Sequence, residues 1–449
     1  MRRAMCPALA RFAMDYRQAI EFIEGASGKG AKRGLENMEL LMQRLGEPHK
    51  KLRAFHVAGT NGKGSICAYI ESALREAGYR TGLYTSPHLE RFNDRMRIDG
   101  RPISDDRLSE VTSRVAIEVE RLRAEDVHPT FFEICTAVAF TFFAEEKVDY
   151  AVIEVGLGGR NDSTNVITPI VSVIAPIGYD HMKTLGNTLE EIAGEKAGII
   201  KRGVPVVISA QQDGARGVFE ARCAELGCEL CDLNLSSMQM IFDGERGGEF
   251  ALKLGENEWP RIAIGMSGAH QAQNAACALM ALTIARARAG LHMSDAQMLS
   301  GIKSARWPGR LEWVEGSPRV LLDGAHNGQG ARTLREYARR HLAGKRVVLL
   351  MAMLGDKPVE DVVRQIAGVT STAVVTQIDY PRALEPKRLA VLLEANAVSC
   401  LIEPDMARAL DAAREMAGED GIVLVSGSLY LVGAVRDMLN IGDGGALRA

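Results

Sequence analysis

This sequence has no large excess of charge of either sign and no long apolar run. Its 54 Lys and Arg residues stand against 57 Asp and Glu residues, which gives a net charge of −3. Nucleic-acid-binding modules usually carry a strong basic excess, so we expect no nucleic-acid partner. The longest uncharged apolar stretches, near 165–179 and 421–435, are interrupted by glycine or proline and are shorter than the ~20 residues that a membrane-spanning helix needs. We therefore expect no membrane insertion.

Cysteine is also scarce, with 8 residues in a chain of 449. They are too few and too scattered for a disulfide framework, and we expect reduced cysteines in a cytoplasmic protein. The one cluster, Cys223, Cys228 and Cys231, has no His or Cys soon after it to complete a zinc site. The segment before Met14 lacks a proper hydrophobic run, so we expect a lead-in or an upstream start codon rather than a transit peptide.

Short β-branched segments alternate with helical patterns along the chain, which is typical of a parallel α/β architecture. In the first part we predict helices at 65–77 and 269–289, a small hairpin region at 228–264, and strands at 52–58, 81–84, 150–155, 170–175 and 204–208. The alternation restarts after 306–310, where Pro308 and Gly309 end the preceding helix. Further strands are predicted at 320–322, 346–351, 372–376, 398–402 and 422–425. We therefore predict two domains, 1–307 and 308–449.

The strongest local signal is HVAGTNGKGS at 56–65, between a predicted strand and a predicted helix. Its glycines let the backbone wrap a triphosphate, so that N–H groups and the helix N-terminus face the negative charge. Lys63 can contact the outer phosphates, and Ser65 can reach the nucleotide or its metal. The match to G-x-x-x-x-G-K-[ST] is imperfect, because Val57 replaces the first glycine and Gly64 separates Lys63 from Ser65. No N-K-x-D motif is present, which disfavours a switch GTPase and leaves kinases, motor ATPases and ligases.

Two polar segments that end or follow predicted strands are candidates for metal or phosphate contacts. Glu154 ends an apolar strand, and a buried carboxylate is costly unless it is paired or bound to a metal. A metal or phosphate role is favoured, and an ion pair with Arg160 is the alternative. Ser86 and His88 lie in a loop at the carboxyl edge of the predicted sheet, where α/β proteins bind ligands. Taken alone, that loop is interpreted as structural.

Two later segments also carry candidate functional residues. Asp180 and His181 follow another apolar strand and could form a metal ligand with an orienting carboxylate. A satisfied polar residue at a strand end is the alternative. Lys196 precedes the largely apolar run 197–200, and burial favours the neutral, reactive form of a lysine. A solvated helix face is equally open for Lys196 at this point.

Nine motifs in order provide a more specific signal. They are GTNGKGS at 59–65, TSPHL at 85–89, EVGLGGR at 154–160, DHMKTLG at 180–186, EKAGI at 195–199, HQAQNA at 270–275, WPGR at 307–310, DGAHN at 323–327 and GSLYL at 427–431. Together they closely resemble the folylpolyglutamate synthase/dihydrofolate synthase family of the Mur ligase superfamily, over about residues 16–431. The resemblance implies an α/β fold in which a P-loop Mur ligase-like ATPase domain is followed by a smaller Rossmann-like α/β domain.

The resemblance also implies a reaction. ATP would phosphorylate a carboxylate to an acyl phosphate, which the amine of L-glutamate attacks to give an amide. The implied partners are dihydropteroate or reduced folates, L-glutamate, ATP and Mg2+. We expect a monomeric, bifunctional enzyme, with a monofunctional dihydrofolate synthase as the alternative. A Mur-type cell-wall ligase is more remote, because fewer than 60 residues precede the phosphate loop. A nucleotide-dependent switch protein would turn over ATP without forming an amide.

Individual roles are implied only at positions that match the family's motifs. Ser86, Glu154 and His181 would hold magnesium, and Lys196 would be carbamylated by CO2, so that Lys63, Glu154, His181 and Lys196 are the catalytic candidates. The implied nucleotide contacts are Gly59, Thr60, Asn61, Gly62, Lys63, Gly64, Ser65, Asn274, Arg310, Asp323 and His326. The implied pterin contacts are Phe131, Phe132, Glu133, Asn161, Asp162 and Ser163. Ser163 departs from the family's Asp-Ala-Thr-Asn, the two phenylalanines have core packing as the alternative, and residues 32–35 are expected to close over the same ligand.

Overall fold

The computed structural model of the protein describes residues 13–26 and 34–441. Its α-helices are Tyr16–Glu24, Glu36–Arg44, Lys63–Glu76, Asp105–Ala124, Phe131–Glu145, Met182–Leu185, Leu189–Lys196, Asp213–Leu226, His270–Arg288, Asp295–Ser304, Gly328–His341, Val359–Ile366, Pro386–Glu394, Met406–Ala417 and Leu429–Met438. Within the described ranges, no helix combines the length and the apolar character that crossing a membrane requires.

The larger sheet has eight strands in the order β4-β3-β2-β5-β1-β6-β7-β8. The strands are β1 Ala54–Ala58, β2 Thr81–Tyr84, β3 Met96–Ile98, β4 Arg101–Pro102, β5 Tyr150–Glu154, β6 Val171–Ile174, β7 Val206–Ile208 and β8 Leu230–Asp232. Pairing is parallel from β2 to β8 and antiparallel at the β2-β3-β4 edge. Central parallel strands are covered on both faces, which is why β1 and β5 are apolar along nearly their whole length.

Alternating side chains of the larger sheet face different apolar clusters on its two sides. Phe55 and Val57 pack in the cluster formed with the helices Lys63–Glu76 and His270–Arg288. Ala54 belongs to the opposite cluster, formed with the helix Phe131–Glu145. The sheet therefore holds the loop that follows β1 between two well-packed helical layers.

Two further sheets complete the fold. The first is antiparallel, in the order β11-β10-β9, with β9 Ser237–Asp243, β10 Gly248–Leu254 and β11 Asn257–Ile264. The second has six strands in the order β12-β13-β17-β14-β15-β16, and it is parallel except at the β12-β13 edge. Its strands are β12 Glu312–Val314, β13 Arg319–Leu322, β14 Val347–Met351, β15 Thr372–Val375, β16 Ser399–Ile402 and β17 Ile422–Ser426.

The α/β fold class predicted from the sequence is confirmed. All ten predicted strands are present, each with bounds within two residues of the prediction, and the same holds for the two predicted helices. The region 228–264 contains more than a hairpin, because Leu230–Asp232 joins the edge of the larger sheet while the rest forms the three-stranded sheet. The short antiparallel edge strands β3, β4 and β12 were missed.

Candidate active site

A cavity of about 420 Å³ lies where the carboxyl ends of the two parallel sheets face each other. The segments after β1, β2, β5 and β6 reach it from the larger sheet, and those after β13, β14 and β17 reach it from the smaller one. This edge is where α/β sheets bind ligands. The predicted nucleotide and metal residues all line the cavity: Gly59, Thr60, Asn61, Gly62, Lys63, Gly64, Ser65, Ser86, Glu154, His181, Lys196, Asn274, Arg310, Asp323 and His326.

The loop after β1 turns tightly because two of its glycines have no room for a side chain. Gly59 has a φ of +143°, and a Cβ there would lie 2.5 Å from the Cβ of Ala175. Gly62 precedes the helix Lys63–Glu76 with a φ of +88°, and a Cβ there would lie 2.4 Å from Oδ1 of Asn274. The first-turn N–H groups of that helix consequently point to the cavity, where they favour an anion.

The inserted Gly64 is explained by its neighbour. A Cβ on Gly64 would lie 2.6 Å from Nε1 of Trp307, so a larger residue between Lys63 and Ser65 would collide with the indole ring. Ser65 is 4% exposed, and its hydroxyl accepts from Nε2 of Gln271 at 3.3 Å. The departure from the usual phosphate-loop pattern therefore lets this loop pack against the segment that precedes β12.

Lys63 and Glu154 form the centre of the cavity wall on the larger sheet. Nζ of Lys63 lies 3.9 Å from Oε1 of Glu154 and donates to the carbonyl of Thr60 at 3.2 Å. The other oxygen of Glu154 accepts the backbone N–H of Ser86 at 3.2 Å. Burial raises the pKa of the Glu154 carboxyl, and the Lys63 ammonium opposes that rise. The alternative partner, Arg160, instead lies 3.5 Å from Glu195.

Lys196 is buried, so the alternative of a solvated helix face is wrong. The residue is 4% exposed, and its Nζ donates to the carbonyl of Gly59 at 2.8 Å. Burial, assisted by the charge of Lys63, lowers the pKa of Lys196 to about 7, although Asp180 and Asp162 oppose the shift. An amine with this pKa is partly unprotonated at neutral pH and can act as a nucleophile.

A polar cluster centred on Asp180 connects the two sheets. Nζ of Lys357 donates to Oδ1 of Asp180 at 3.1 Å and lies 3.4 Å from Nε2 of His181. Nε2 of His326 lies 4.0 Å from Oδ2 of Asp180. Burial disfavours the ionised carboxyl, but the Lys357 ammonium, together with His181 and His326 at the acidic pH where they are protonated, lowers the pKa of Asp180 to about 2. Burial lowers the pKa of both histidines, that of His326 to about 4, so His326 is neutral at pH 7 and burial favours the neutral form of His181.

Asp323 fixes two backbone segments in the cavity wall that the smaller sheet provides. Its buried carboxylate accepts the N–H groups of Leu311 at 3.0 Å and of Ala325 at 2.9 Å. Burial raises the pKa of Asp323, and the nearby Arg310 guanidinium opposes that rise. Asp323 therefore fixes the turn from which Arg310 reaches the cavity.

None of the predicted pterin residues, Phe131, Phe132, Glu133, Asn161, Asp162 and Ser163, is among the cavity-lining residues. Phe132 lies directly behind the wall, since a Cβ on Gly156 would be 2.3 Å from Cζ of its ring. Glu133 accepts the N–H of Thr130 at 2.7 Å and so caps its own helix. The hydroxyl of Ser163 lies 2.6 Å from that of Thr136. Of the expected closing segment 32–35, residues 32 and 33 lie outside the described residues.

Among the cavity residues that the sequence reasoning missed, three join the two sheets. The amide of Asn327 donates to Oδ1 of Asn61 at 3.0 Å, and the amide of Asn61 donates to Oε1 of Gln329 at 2.9 Å. Lys357 is the third. All three follow strands of the smaller sheet, so the rule that polar residues gather after parallel strands could have found them.

The comparisons with known proteins cover both halves of the chain. A family model of the Mur ligase middle domain matches residues 57–282. A family model described as "Mur ligase, glutamate ligase domain" matches residues 309–429. The dihydrofolate synthase/folylpolyglutamate synthase of Bacillus subtilis (strain 168) is 41% identical over 429 residues, which cover 94% of this chain and 99% of that protein.

Solved structures are similar along the same length. Mycobacterium tuberculosis folylpolyglutamate synthase complexed with ADP has a TM-score of 0.87 and 30% identity, over 95% of this chain and 99% of that one. E. coli FolC in complex with DHPP and ADP has a TM-score of 0.86 and 29% identity, over 96% and 98%. With its phosphate loop, its two facing sheets and these relatives, the chain belongs to the dihydrofolate synthase/folylpolyglutamate synthase family of Mur ligases.

Proposed function

We propose that the protein is an ATP-dependent, ADP-forming ligase that joins L-glutamate to dihydropteroate and to the γ-carboxyl group of reduced folates. One observation carries this proposal: a single cavity combines a phosphate loop from one sheet with cationic and amide side chains from the other. A triphosphate can lie on the first side and an amino acid on the second, with the transferred phosphoryl group between them. The activity named for the Bacillus subtilis relative agrees with this arrangement.

The reaction depends mainly on positioning and charge neutralisation. A carboxylate oxygen of the folate attacks the γ-phosphorus of ATP, ADP leaves with the electron pair of the broken P–O bond, and an acyl phosphate forms. The neutral amine of glutamate then attacks the acyl carbon. Phosphate leaves, the nitrogen loses a proton, and an amide results. Lys63, whose side chain is 17% exposed at the helix N-terminus, neutralises the γ-phosphoryl group during the first step.

The residues at this site fit Mg2+. This cation prefers oxygen ligands and is commonly held by one or two carboxylates together with substrate phosphates. The described part of the chain contains no group of three or more His, Cys, Asp and Glu that could hold a metal. Glu154 is buried and accepts one N–H from Ser86, which leaves oxygen lone pairs for a cation. We assign Ser86, Glu154 and His181 as its protein ligands; when bound, Mg2+ would neutralise phosphate charge.

We also propose that Lys196 is carbamylated. Its pKa of about 7 makes the free amine available at neutral pH. The nitrogen lone pair attacks CO2, an N–C bond forms, and a proton leaves to give an anionic carbamate. The charge of Lys63, which lowers the pKa of the Lys196 amine, would stabilise that anion.

The pterin end of the substrate is proposed to lie beyond Gly156, against Phe131 and Phe132. Gly156 lines the cavity and Phe132 lies directly behind it, so a substrate that passes Gly156 reaches the two rings. Asn161, Asp162 and Ser163 are proposed to complete this region. Because Glu133 caps the helix that carries the rings, its contribution to the pterin site is to fix that helix.

The domain division at 307/308 is likewise a proposal. It is supported by the strand order, since every strand of the six-stranded sheet comes from residues 312–426 and every strand of the other two sheets precedes them. Both sides of the cavity come from one chain, so we propose that the protein acts as a monomer.

A product assay tests the proposed function. The full chain would be supplied with ATP, Mg2+, glutamate, and dihydropteroate and tetrahydrofolate as competing acceptors, with the products separated by mass spectrometry. We expect both acceptors to gain glutamate and one ADP to form for each amide. Products from dihydropteroate alone would indicate the monofunctional alternative. ATP turnover without any amide would refute the ligase.

A further inference from the structure

The two parallel sheets are also joined by a buried ion cluster outside the cavity. Arg436, on the helix Leu429–Met438, is 1% exposed. Its Nε donates to Glu90 at 2.6 Å, and a terminal guanidinium nitrogen donates to Glu312. Glu90 follows β2 of the larger sheet, whereas Glu312 begins β12 of the smaller one. A planar guanidinium presents its donors to the two carboxylates in fixed directions, whereas the compact ammonium of a lysine lacks this fork geometry.

Glu90 lies in the same loop as Ser86, one of the proposed metal ligands. Glu90 ends the loop that begins after β2 and carries Ser86, whose N–H donates to Glu154. Leu89 of the same loop packs against the apolar cluster of the smaller sheet. A Cβ on Gly433 would lie 1.8 Å from the Leu89 carbonyl oxygen, so the helix rests directly on the loop backbone.

Glu312 holds the turn that carries Arg310, one of the proposed nucleotide contacts. The carboxylate of Glu312 accepts a hydrogen bond from Arg436 through one oxygen and the N–H of Gly309, at 2.7 Å, through the other. Gly309 has a φ of +71°, and its carbonyl accepts the N–H of Gly324 at 2.9 Å. The next residue, Arg310, lines the cavity. The turn that aims Arg310 is thus held from both ends.

We infer that Arg436 is a positioning residue for nucleotide binding, which fixes the loop of Ser86 through Glu90 and the turn of Arg310 through Glu312. The inference rests on the roles proposed above for Ser86 and Arg310. A shift of the buried guanidinium would stretch its hydrogen bonds to Glu90 and Glu312, and a displacement of close-packed backbone displaces its neighbours. Arg436 therefore sets two opposite walls of the cavity while touching neither.

Equilibrium binding of ADP to the full chain, with and without Mg2+, tests this inference. Glu312→Gln is expected to weaken ADP binding by about tenfold in either condition, because it loosens the turn of Arg310. Glu90→Gln is expected to weaken binding by a similar factor only when Mg2+ is present, because it loosens the loop of Ser86. Each variant leaves Arg436 paired with one carboxylate, so both are expected to fold. Arg436→Lys should show both defects.

Asp437→Asn is the matched control, since it removes one charge from the next, exposed position of the same helix and should bind ADP like the wild type. If both glutamine variants also bind like the wild type, with or without a lower melting temperature, Arg436 is only structural and the inference is wrong. Failure of the proposed function would be distinct, because the wild type would then bind no ADP or form no amide.

Discussion

Lys196 should make the protein less stable while it makes the enzyme active. Its ammonium is almost fully buried, and burial lowers its pKa from 10.5 to about 7. At ~1.4 kcal/mol for each pKa unit, the folded state at pH 7 carries a penalty of about 4 kcal/mol. Lys196→Met removes this penalty. It also loses the hydrogen bond to the Gly59 carbonyl, which costs the variant about 1–2 kcal/mol of stability. We therefore expect the variant to be more stable than the wild type by about 2–3 kcal/mol.

The pH dependence provides the sharper measurement. Between pH 7 and 10.5 the unfolded lysine holds its proton and the folded amine has lost it, so the free energy of unfolding of the wild type rises with pH in this window. Below pH 7 both states are protonated and the penalty stays constant. Urea unfolding of the wild type and Lys196→Met at pH 7 and pH 9.5 should show a gap that shrinks as the pH increases. Subtracting the two curves removes the titration of the other groups.

The same variants separate a carbamate from a structural lysine. Lys196→Met should be inactive although it is more stable, and Lys196→Arg should be both inactive and less stable, because a guanidinium stays charged and does not react with CO2. Bicarbonate should raise the melting temperature of the wild type alone, and short-chain carboxylates should partly restore Lys196→Ala. An active Lys196→Arg, or a Lys196→Met that is less stable at pH 7, would refute the reasoning.

Three other predictions address the rest of the site. Lys63→Ala should lower kcat by two to three decades, or about 3–4 kcal/mol, with unchanged circular dichroism. Lys51→Ala, at an exposed position, is the control. If the turnover of Lys63→Ala is within about threefold of this control, Lys63 does not neutralise the γ-phosphoryl group. Glu154→Gln and His181→Ala should raise the Mg2+ concentration needed for half-maximal activity, and overlapping Mg2+ titrations would exclude them as ligands. X-ray scattering should show a more compact full chain with ATP and a folate, whereas a chain truncated after Trp307 should form no amide. Identical scattering profiles together with amide formation by the truncated chain would place the active site in one domain.

The larger elements of the fold could be predicted because they follow simple periodic patterns. Central strands such as β5 and β17 are buried on both faces, and their largely apolar runs reveal them. The edge strands β3, β4 and β12 have only two or three residues and include charged side chains, so neither length nor alternation marks them. Their pairing depends on the neighbouring strand rather than on their own sequence.

The candidate site was only partly predictable. Ser86, Glu154 and His181 were singled out by the family resemblance, and all three line the cavity. The pairing of Asp180 with Lys357 spans 177 residues and depends on how the two sheets face each other. The Thr130-x-x-Glu133 spacing is a capping box that the sequence already displays, and it predicts a local role for Glu133. The resemblance instead implies a ligand contact for Glu133.

The contacts that join the two sheets differ in what could replace them. At the cavity, the Asn61–Asn327 amides and the Lys357–Asp180 pair line the space that ligands enter, so phosphate or carboxylate oxygens can exchange with these partners at little cost. The Arg436 guanidinium is 1% exposed and lies outside the active-site cavity, so separation would break its hydrogen bonds to Glu90 and Glu312 with no substrate group to replace them. Opening of the cleft is therefore expected to break the cavity contacts before those of the Arg436 cluster.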